Sequence, residues 1–179
     1  MTLLKIARLG HPVLITPAEP VRDPAEPELQ RLIDDMIETL EDAGGLGLAA
    51  PQVYRRLRLI LARPLEKGQA REEVPPLVLI NPELEHGEEQ ELGIEGCLSL
   101  PGLRGLVPRA RRVRYRGLDR HGRPLAGEAE DVFARILQHE VDHLDGILFL
   151  MRMPDLRYLA YEEEMEHLLA ALEKQGEQQ

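Results

Sequence analysis

Between Asp23 and Asp42 the apolar side chains Leu29, Leu32, Ile33, Met36, Ile37 and Leu40 recur at three- and four-residue spacing, as on one face of a helix. Pro27 stands near the start and Gly44–Gly45 follow the end, so the pattern predicts an amphipathic helix stopped by glycine. The period then changes. Short apolar runs bounded by turn residues, clearest at Leu57–Ala62, Leu77–Ile80, Arg112–Leu118 and Arg123–Ala126, predict strands. Asp119–Arg120–His121–Gly122 reads as the hairpin turn between the last two, and Arg63–Pro76, with Gly68 and Pro75–Pro76, reads as an exposed loop. Helical spacing returns over Asp131–Leu144 and from Asp155 to about Lys174. A helix, several strands and then helices predict an α+β fold rather than alternating βαβ units. The 179 residues fit one domain spanning 1–179, with about 175–179 as a flexible polar tail.

Composition narrows the function. Twenty-two Lys+Arg against 32 Asp+Glu give a net charge of −10, which removes the positive field that sequence-independent nucleic-acid binding needs, so no DNA partner is expected. Apolar residues make up 43% but aromatic ones only 3%, so a core must be filled by aliphatic side chains. No stretch approaches the roughly 20 apolar residues of a membrane span, and the first residues lack a long apolar signal region, which leads us to expect a soluble cytoplasmic protein. The single cysteine, Cys97, rules out an intramolecular disulfide and fits a reducing compartment.

The chemistry is concentrated in His139–Glu140–Val141–Asp142–His143, an H-E-x-x-H sequence inside a helical stretch. At 100° per residue the two imidazoles lie one turn apart on one face and can share a metal ion, with Glu140 at the edge of that face as general base. With Val132 at zero on the helical wheel, Ile136, His139 and His143 all fall within about 40° of it, so the metal face continues into an apolar patch. A catalytic site of this kind usually has three protein ligands and one open position. Two candidates for the third ligand stand in the chain. Glu163 follows His143 by twenty residues, as in a His₂Glu metalloprotease, although Glu162, Glu163, Glu164 and Glu166 also read as the solvated face of a helix whose inner face is Leu159, Leu168, Leu169 and Leu172. Cys97 precedes His139 by forty-two residues, and a thiolate binds zinc or ferrous iron strongly.

Three segments, Gly45–Leu46–Gly47–Leu48–Ala49–Ala50–Pro51–Gln52, Glu95–Gly96–Cys97–Leu98–Ser99 and Gln138–His139–Glu140–Val141–Asp142–His143–Leu144, resemble in order and spacing the three signature motifs of bacterial-type peptide deformylases. The resemblance extends from Gly10–His11–Pro12 through Asn81–Pro82 to Gly146–Phe149. The first motif also fits a dinucleotide fingerprint, but it follows a helix and meets Pro51 before a strand, the reverse of that fold's order.

The resemblance implies an α+β domain in which the H-E-x-x-H helix is surrounded by antiparallel strands, with N-terminal and C-terminal helices. It implies an enzyme of the EC 3.5.1.88 type, removing formyl from the N-terminal formyl-methionine of nascent peptides. It assigns Cys97, His139 and His143 to one divalent metal, favouring Fe²⁺ with Zn²⁺, Ni²⁺ or Co²⁺ also accepted. It assigns Glu140 to proton transfer, and Gln52 and the Leu98 N–H to the oxyanion. Leu46, Val132 and Ile136 would receive the methionine side chain, the backbones of Leu46, Gly47 and Gly96 would pair with the extended peptide, and Arg104 would lie near the pocket. Two departures stand out. Ile94 replaces the first of two acids before Gly-Cys in many members, and the terminal helix, basic where some members touch the ribosome, is here acidic, which weighs against docking to RNA. A monomer is favoured over an oligomer.

Overall fold

The computed structural model describes residues 2–65, 69–70 and 74–176. Helix α1 (Pro27–Asp42) begins at the proline, whose missing N–H costs nothing in the first turn, four residues after the expected start. It buries Leu29, Ile33, Met36 and Leu40 and stops at Gly44, whose φ of 67° suits glycine. Strand β1 (Gly47–Ala49) leads through a single 3-10 turn at Ala50–Val53 to β2 (Leu59–Ala62) and β3 (Leu77–His86). Next come β4 (Gln90–Cys97), β5 (Leu100–Ala110), β6 (Arg112–Leu118) and β7 (Pro124–Glu130), then α2 (Asp131–Leu144), β8 (Leu159–Tyr161) and α3 (Met165–Gly176).

Two antiparallel sheets result, one in the order β1-β2-β3-β6-β7 and one in the order β4-β5-β8. Phe133, Ala134, Ile136, Leu137 and Leu144 of α2 pack on Ala49, Ile60, Ala62, Leu79, Val113 and Ala129 of the larger sheet. The smaller sheet is sewn to the same helix by Gln138, whose side chain donates to the Ala110 carbonyl (2.8 Å) and accepts from the Ala110 N–H (3.0 Å), completing that backbone as a neighbouring strand would. The expected α+β arrangement, a central helix among antiparallel strands with helices at either end of the chain, is therefore the one observed. The expected hairpin also forms, with Leu118 opposite Pro124 and Gly122 in the left-handed region.

One expectation needs correction. The helix read from Asp155 to about Lys174 is a 3-10 turn at Leu156–Tyr158, strand β8, a second 3-10 turn at Glu162–Glu164, and only then α3. Asp155 accepts from the Arg157 N–H at 2.8 Å, which favours a turn, and Leu159–Tyr161 satisfy the outer edge of β5 in the register Leu103↔Tyr161 and Gly105↔Leu159. The leucine spacing fits a helix, but an unpaired strand edge outweighs it locally. Of the loop expected at Arg63–Pro76, residues 66–68 and 71–73 lie outside the described residues, as do 177–179 of the expected tail. No described helix is long and apolar enough to cross a membrane.

Candidate metal centre and substrate groove

Helix α2 presents His139 and His143 one turn apart, and the end of β4 brings Cys97 to them. One ligand atom from each of the three lies within 4.8 Å of the others, and all three residues are buried. The Cys97 Sγ is 3.2 Å from His143 Nε2. His139 Nδ1 is 2.9 Å from Glu95 Oε2, which fixes the ring and leaves Nε2 to face the cluster. The donor set fits a divalent cation: a thiol and two imidazoles at ligand spacing, buried, with Glu140 beside them. Two buried polar atoms here lack partners, Glu140 Oε2 and His143 Nδ1.

The electrostatics support the same reading. Burial raises the Glu140 carboxyl to about 7, with His139 pulling the other way. Burial opposes charge on His139, but hydrogen bonds with Cys97 and Glu95 hold its pKa well above the usual value. Burial, joined by the charges of His139 and Arg109, drives His143 well below it. Cys97, Glu95 and Glu140 thus surround His139 with groups that favour positive charge at this point.

Glu95 is held from three sides. Arg109 donates to both its oxygens, at 2.7 and 3.0 Å, and Arg135 donates to Oε1 at 3.1 Å. Burial would raise its pKa, but His139 and Arg109 lower it to about 2. Arg109 also reaches Asp142 at 2.5 Å, and Arg152 reaches Asp142 at 2.7 Å, so the charges behind the histidines are paired. Gln52 is fixed in turn: its Oε1 accepts from the Ala49 N–H at 2.8 Å, leaving Nε2 to lie 3.3 Å from Ser99 Oγ and 3.5 Å from Cys97 Sγ.

A groove of about 760 Å³ opens over the cluster. Its lining contains Leu46, Gly47, Gln52, Gly96, Cys97, Leu98, Arg104, Val132, Ile136, His139 and Glu140, so the structure assembles the residues singled out from the sequence, with His143 buried just beneath. Gly47 is needed for close approach, since a Cβ there would sit 2.7 Å from Glu140 Cδ. Arg104 pairs with Glu162 Oε1 at 2.8 Å, and Ile94 lies exposed on the rim. Glu163 is different. It is exposed on the 3-10 turn before α3, and among the described residues the metal-capable cluster is Cys97, His139 and His143 without it. The His₂Glu alternative is therefore set aside.

Sequence reasoning missed Arg109, Asp142, Arg135 and Ser99. Arg135 was within reach, because on the helical wheel it falls about 60° from Val132, at the border of the metal face. Arg109 gives no comparable signal, lying in a strand that Pro101, Gly102, Gly105 and Pro108 disguise as turns.

A family model described as polypeptide deformylase matches residues 3–158. The chain is 46% identical over 162 residues to peptide deformylase 1 of Bordetella pertussis, covering 88% of this chain and 92% of that one. It is 47% identical over 163 residues to a peptide deformylase of Acidothermus cellulolyticus, covering 89% and 84%. A crystal structure of the class I type b peptide deformylase of Acinetobacter baumannii, bound to Met-Ala-Ser, superposes with a TM-score of 0.77 at 38% identity, covering 85% of this chain and 99% of that one.

Proposed function

The chain belongs to the peptide deformylase family, and from that premise we propose how its own residues hydrolyse the N-formyl group of formyl-methionyl peptides to formate and a free amine. The observation that carries the reading is the convergence of Cys97, His139 and His143 on one buried point beside a carboxyl oxygen that has no other partner. These three residues would hold one divalent cation. When bound, that cation supplies Lewis acidity and lowers the pKa of water toward neutrality, making hydroxide available at ordinary pH. The resemblance favours Fe²⁺, while a Cys-His-His donor set also accepts Zn²⁺, Ni²⁺ or Co²⁺.

Glu140 takes the proton of the attacking water and returns it to the leaving amine. Burial pushes this carboxyl above the ordinary carboxylate range, which suits a group that must return a proton as well as accept one. Gln52 Nε2 and the Leu98 N–H donate to the oxygen that gains charge as the formyl carbon becomes tetrahedral, and the Ala49 N–H keeps the Gln52 amide from flipping. Leu46, Val132 and Ile136 receive the methionine side chain, while the backbones of Leu46, Gly47 and Gly96 read the extended main chain and leave later side chains unspecified. Arg104 closes the rim. The reading takes residues 1–179 as one catalytic domain acting as a cytoplasmic monomer on nascent peptides. Docking of the acidic α3 to ribosomal RNA is not part of it.

The test is formate release from formyl-Met-Ala-Ser by protein purified and assayed without oxygen, before and after chelation and after restoring single metals. Chelator-sensitive formate supports the reading. Absence of formate with every metal rejects it.

A further inference from the structure

One charged residue of the H-E-x-x-H sequence takes no part in the reaction proposed above. Asp142, the residue before His143, is buried outside the groove lining, and two guanidinium groups meet its carboxylate. Arg109 Nη1 donates to Oδ2 at 2.5 Å. Arg152, ten residues further along the chain, donates from Nη2 to Oδ1 at 2.7 Å and from Nε to Oδ2 at 3.2 Å. A forked pair of this kind fixes the carboxylate in angle as well as in place. Arg152 makes it from the surface, with a side chain 47% exposed against 9% for Asp142.

Arg109 is the shared member. Its Nε and Nη2 are given to Glu95, and Glu95 Oε2 in turn lies 2.9 Å from His139 Nδ1. Charges therefore alternate from Glu95 through Arg109 and Asp142 to Arg152. Without Arg152, Asp142 would keep Arg109 alone, and a buried anion would pull on the guanidinium that sets Glu95. In a low-dielectric interior that pull is strong. A second contact runs to the same histidine. Arg152 follows directly on the 3-10 turn Phe149–Met151, and the buried Phe149 ring stacks on the His139 imidazole with 6.2 Å between centroids and 25° between planes. By gripping Asp142, Arg152 ties the end of that turn back to α2.

We propose that Arg152 is a positioning residue of the metal centre: from outside the groove it holds Asp142, leaves Arg109 to Glu95, and so fixes the His139 ring with Nε2 toward the cluster. The inference rests on the ligand set of the deformylase reading and adds to it a residue that acts through two others.

The test measures the Kd of Zn²⁺ by chelator competition, the absorption spectrum of the Co²⁺ form, and kcat and KM of the Co²⁺-saturated protein for formyl-Met-Ala-Ser. It compares wild type, Arg152→Met, Arg152→Lys, Asp142→Asn and the double variant Arg152→Met with Asp142→Asn. Arg152→Met should weaken Zn²⁺ binding about tenfold, the lower end for groups that support a ligand, and shift the Co²⁺ bands. It should lower kcat with KM within about twofold of wild type, since Arg152 lies outside the groove. Arg152→Lys keeps the cation without the fork and should lose less than Arg152→Met. In the Asp142→Asn background Arg152→Met should cost nothing further, because its route is already cut. An unchanged Zn²⁺ Kd and Co²⁺ spectrum in Arg152→Met, even with a lowered melting temperature, would mean that Arg152 only braces the fold and would overturn the proposal. Equal losses in Arg152→Lys and Arg152→Met, or full additivity in the double variant, overturn it too. Should the Asp142 variants fail to fold, the two single variants at the half-exposed Arg152 decide by Kd and spectrum. Wild type that binds neither ion overturns the ligand set and this inference with it, whereas wild type that binds them and releases no formate overturns the deformylase activity alone.

Discussion

At the residue scale, the chemistry turns on a few side chains whose roles separate cleanly under substitution. Cys97→Ala removes a ligand and should abolish chelator-sensitive formate release together with bound metal, measured by elemental analysis. Glu163→Ala, on an exposed turn outside the cluster, should leave both within about twofold of wild type. Glu140→Gln keeps the shape but cannot accept a proton, so kcat should fall by roughly 10²–10⁴ while the metal stays bound. Retained activity in that variant would remove Glu140 from proton transfer. Gln52→Ala should cost about 3 kcal/mol of transition-state stabilisation, read as kcat/KM. The residues that we propose as ligands, base and oxyanion donor come together at one groove, and each could be singled out in the sequence because it sits in a short contiguous motif. The groups that orient them were not. Glu95 lies inside a motif, but Arg109 and Arg135 reach it from another strand and another helix, and only the folded chain shows that both guanidinium groups meet one carboxylate.

At the element scale, what the sequence disclosed depended on whether an element announces itself by period. Helices α1 and α2 and the β6–β7 hairpin do. Strands β4 and β5, which deliver Cys97 and Arg109, are interrupted by glycine and proline, and β8 hides in a leucine pattern that suits a helix. The hairpin offers a test of its own. Asp119 accepts from the backbone N–H of His121 at 2.8 Å and of Arg123 at 2.9 Å and pairs with the Arg123 guanidinium at 2.7 Å. Desolvation in the turn works against ionisation, yet these donors outweigh it and hold Asp119 below the ordinary carboxylate range. A lowered folded pKa means the contribution is complete above the unfolded value and is lost as pH falls through the folded one. Asp119→Asn should therefore lower the melting temperature at pH 7 relative to wild type, and the gap should close in acid. A gap that persists below the lowered pKa would mean the turn depends on shape and not on charge.

At the scale of the whole molecule, the ligand set joins two layers. Cys97 ends a strand of the smaller sheet, while the histidines belong to a helix packed on the larger one. A cation held between them favours the folded state by about 2.7 kcal/mol when its free concentration is 100 times Kd, equivalent to roughly 5–11 °C for a chain of this size. Scanning calorimetry before and after chelation should show that drop, and no drop would mean the ligands hold the ion too loosely to link the layers. Peroxide should give the same loss by oxidising the Cys97 sulfur, and thiol reductants should restore the molecule only from the first oxidation step.

One buried charge far from the histidines bears on how the groove meets its peptide. Arg63 is 1% exposed, pairs with Glu41 at the end of α1, donates to the Gly45 carbonyl at 3.4 Å and to the Val74 carbonyl, and through its own N–H to the Leu46 carbonyl at 2.9 Å. The helix end, which carries no basic residue in its last turn, gains a cation there, and the wall beside Leu46 gains an anchor. That wall cannot loosen by itself, because opening it strands a guanidinium in the interior and frays the helix with it. The groove edge is thus preorganised, and a peptide pairing with it, as proposed above, would carry the entropy of ordering itself.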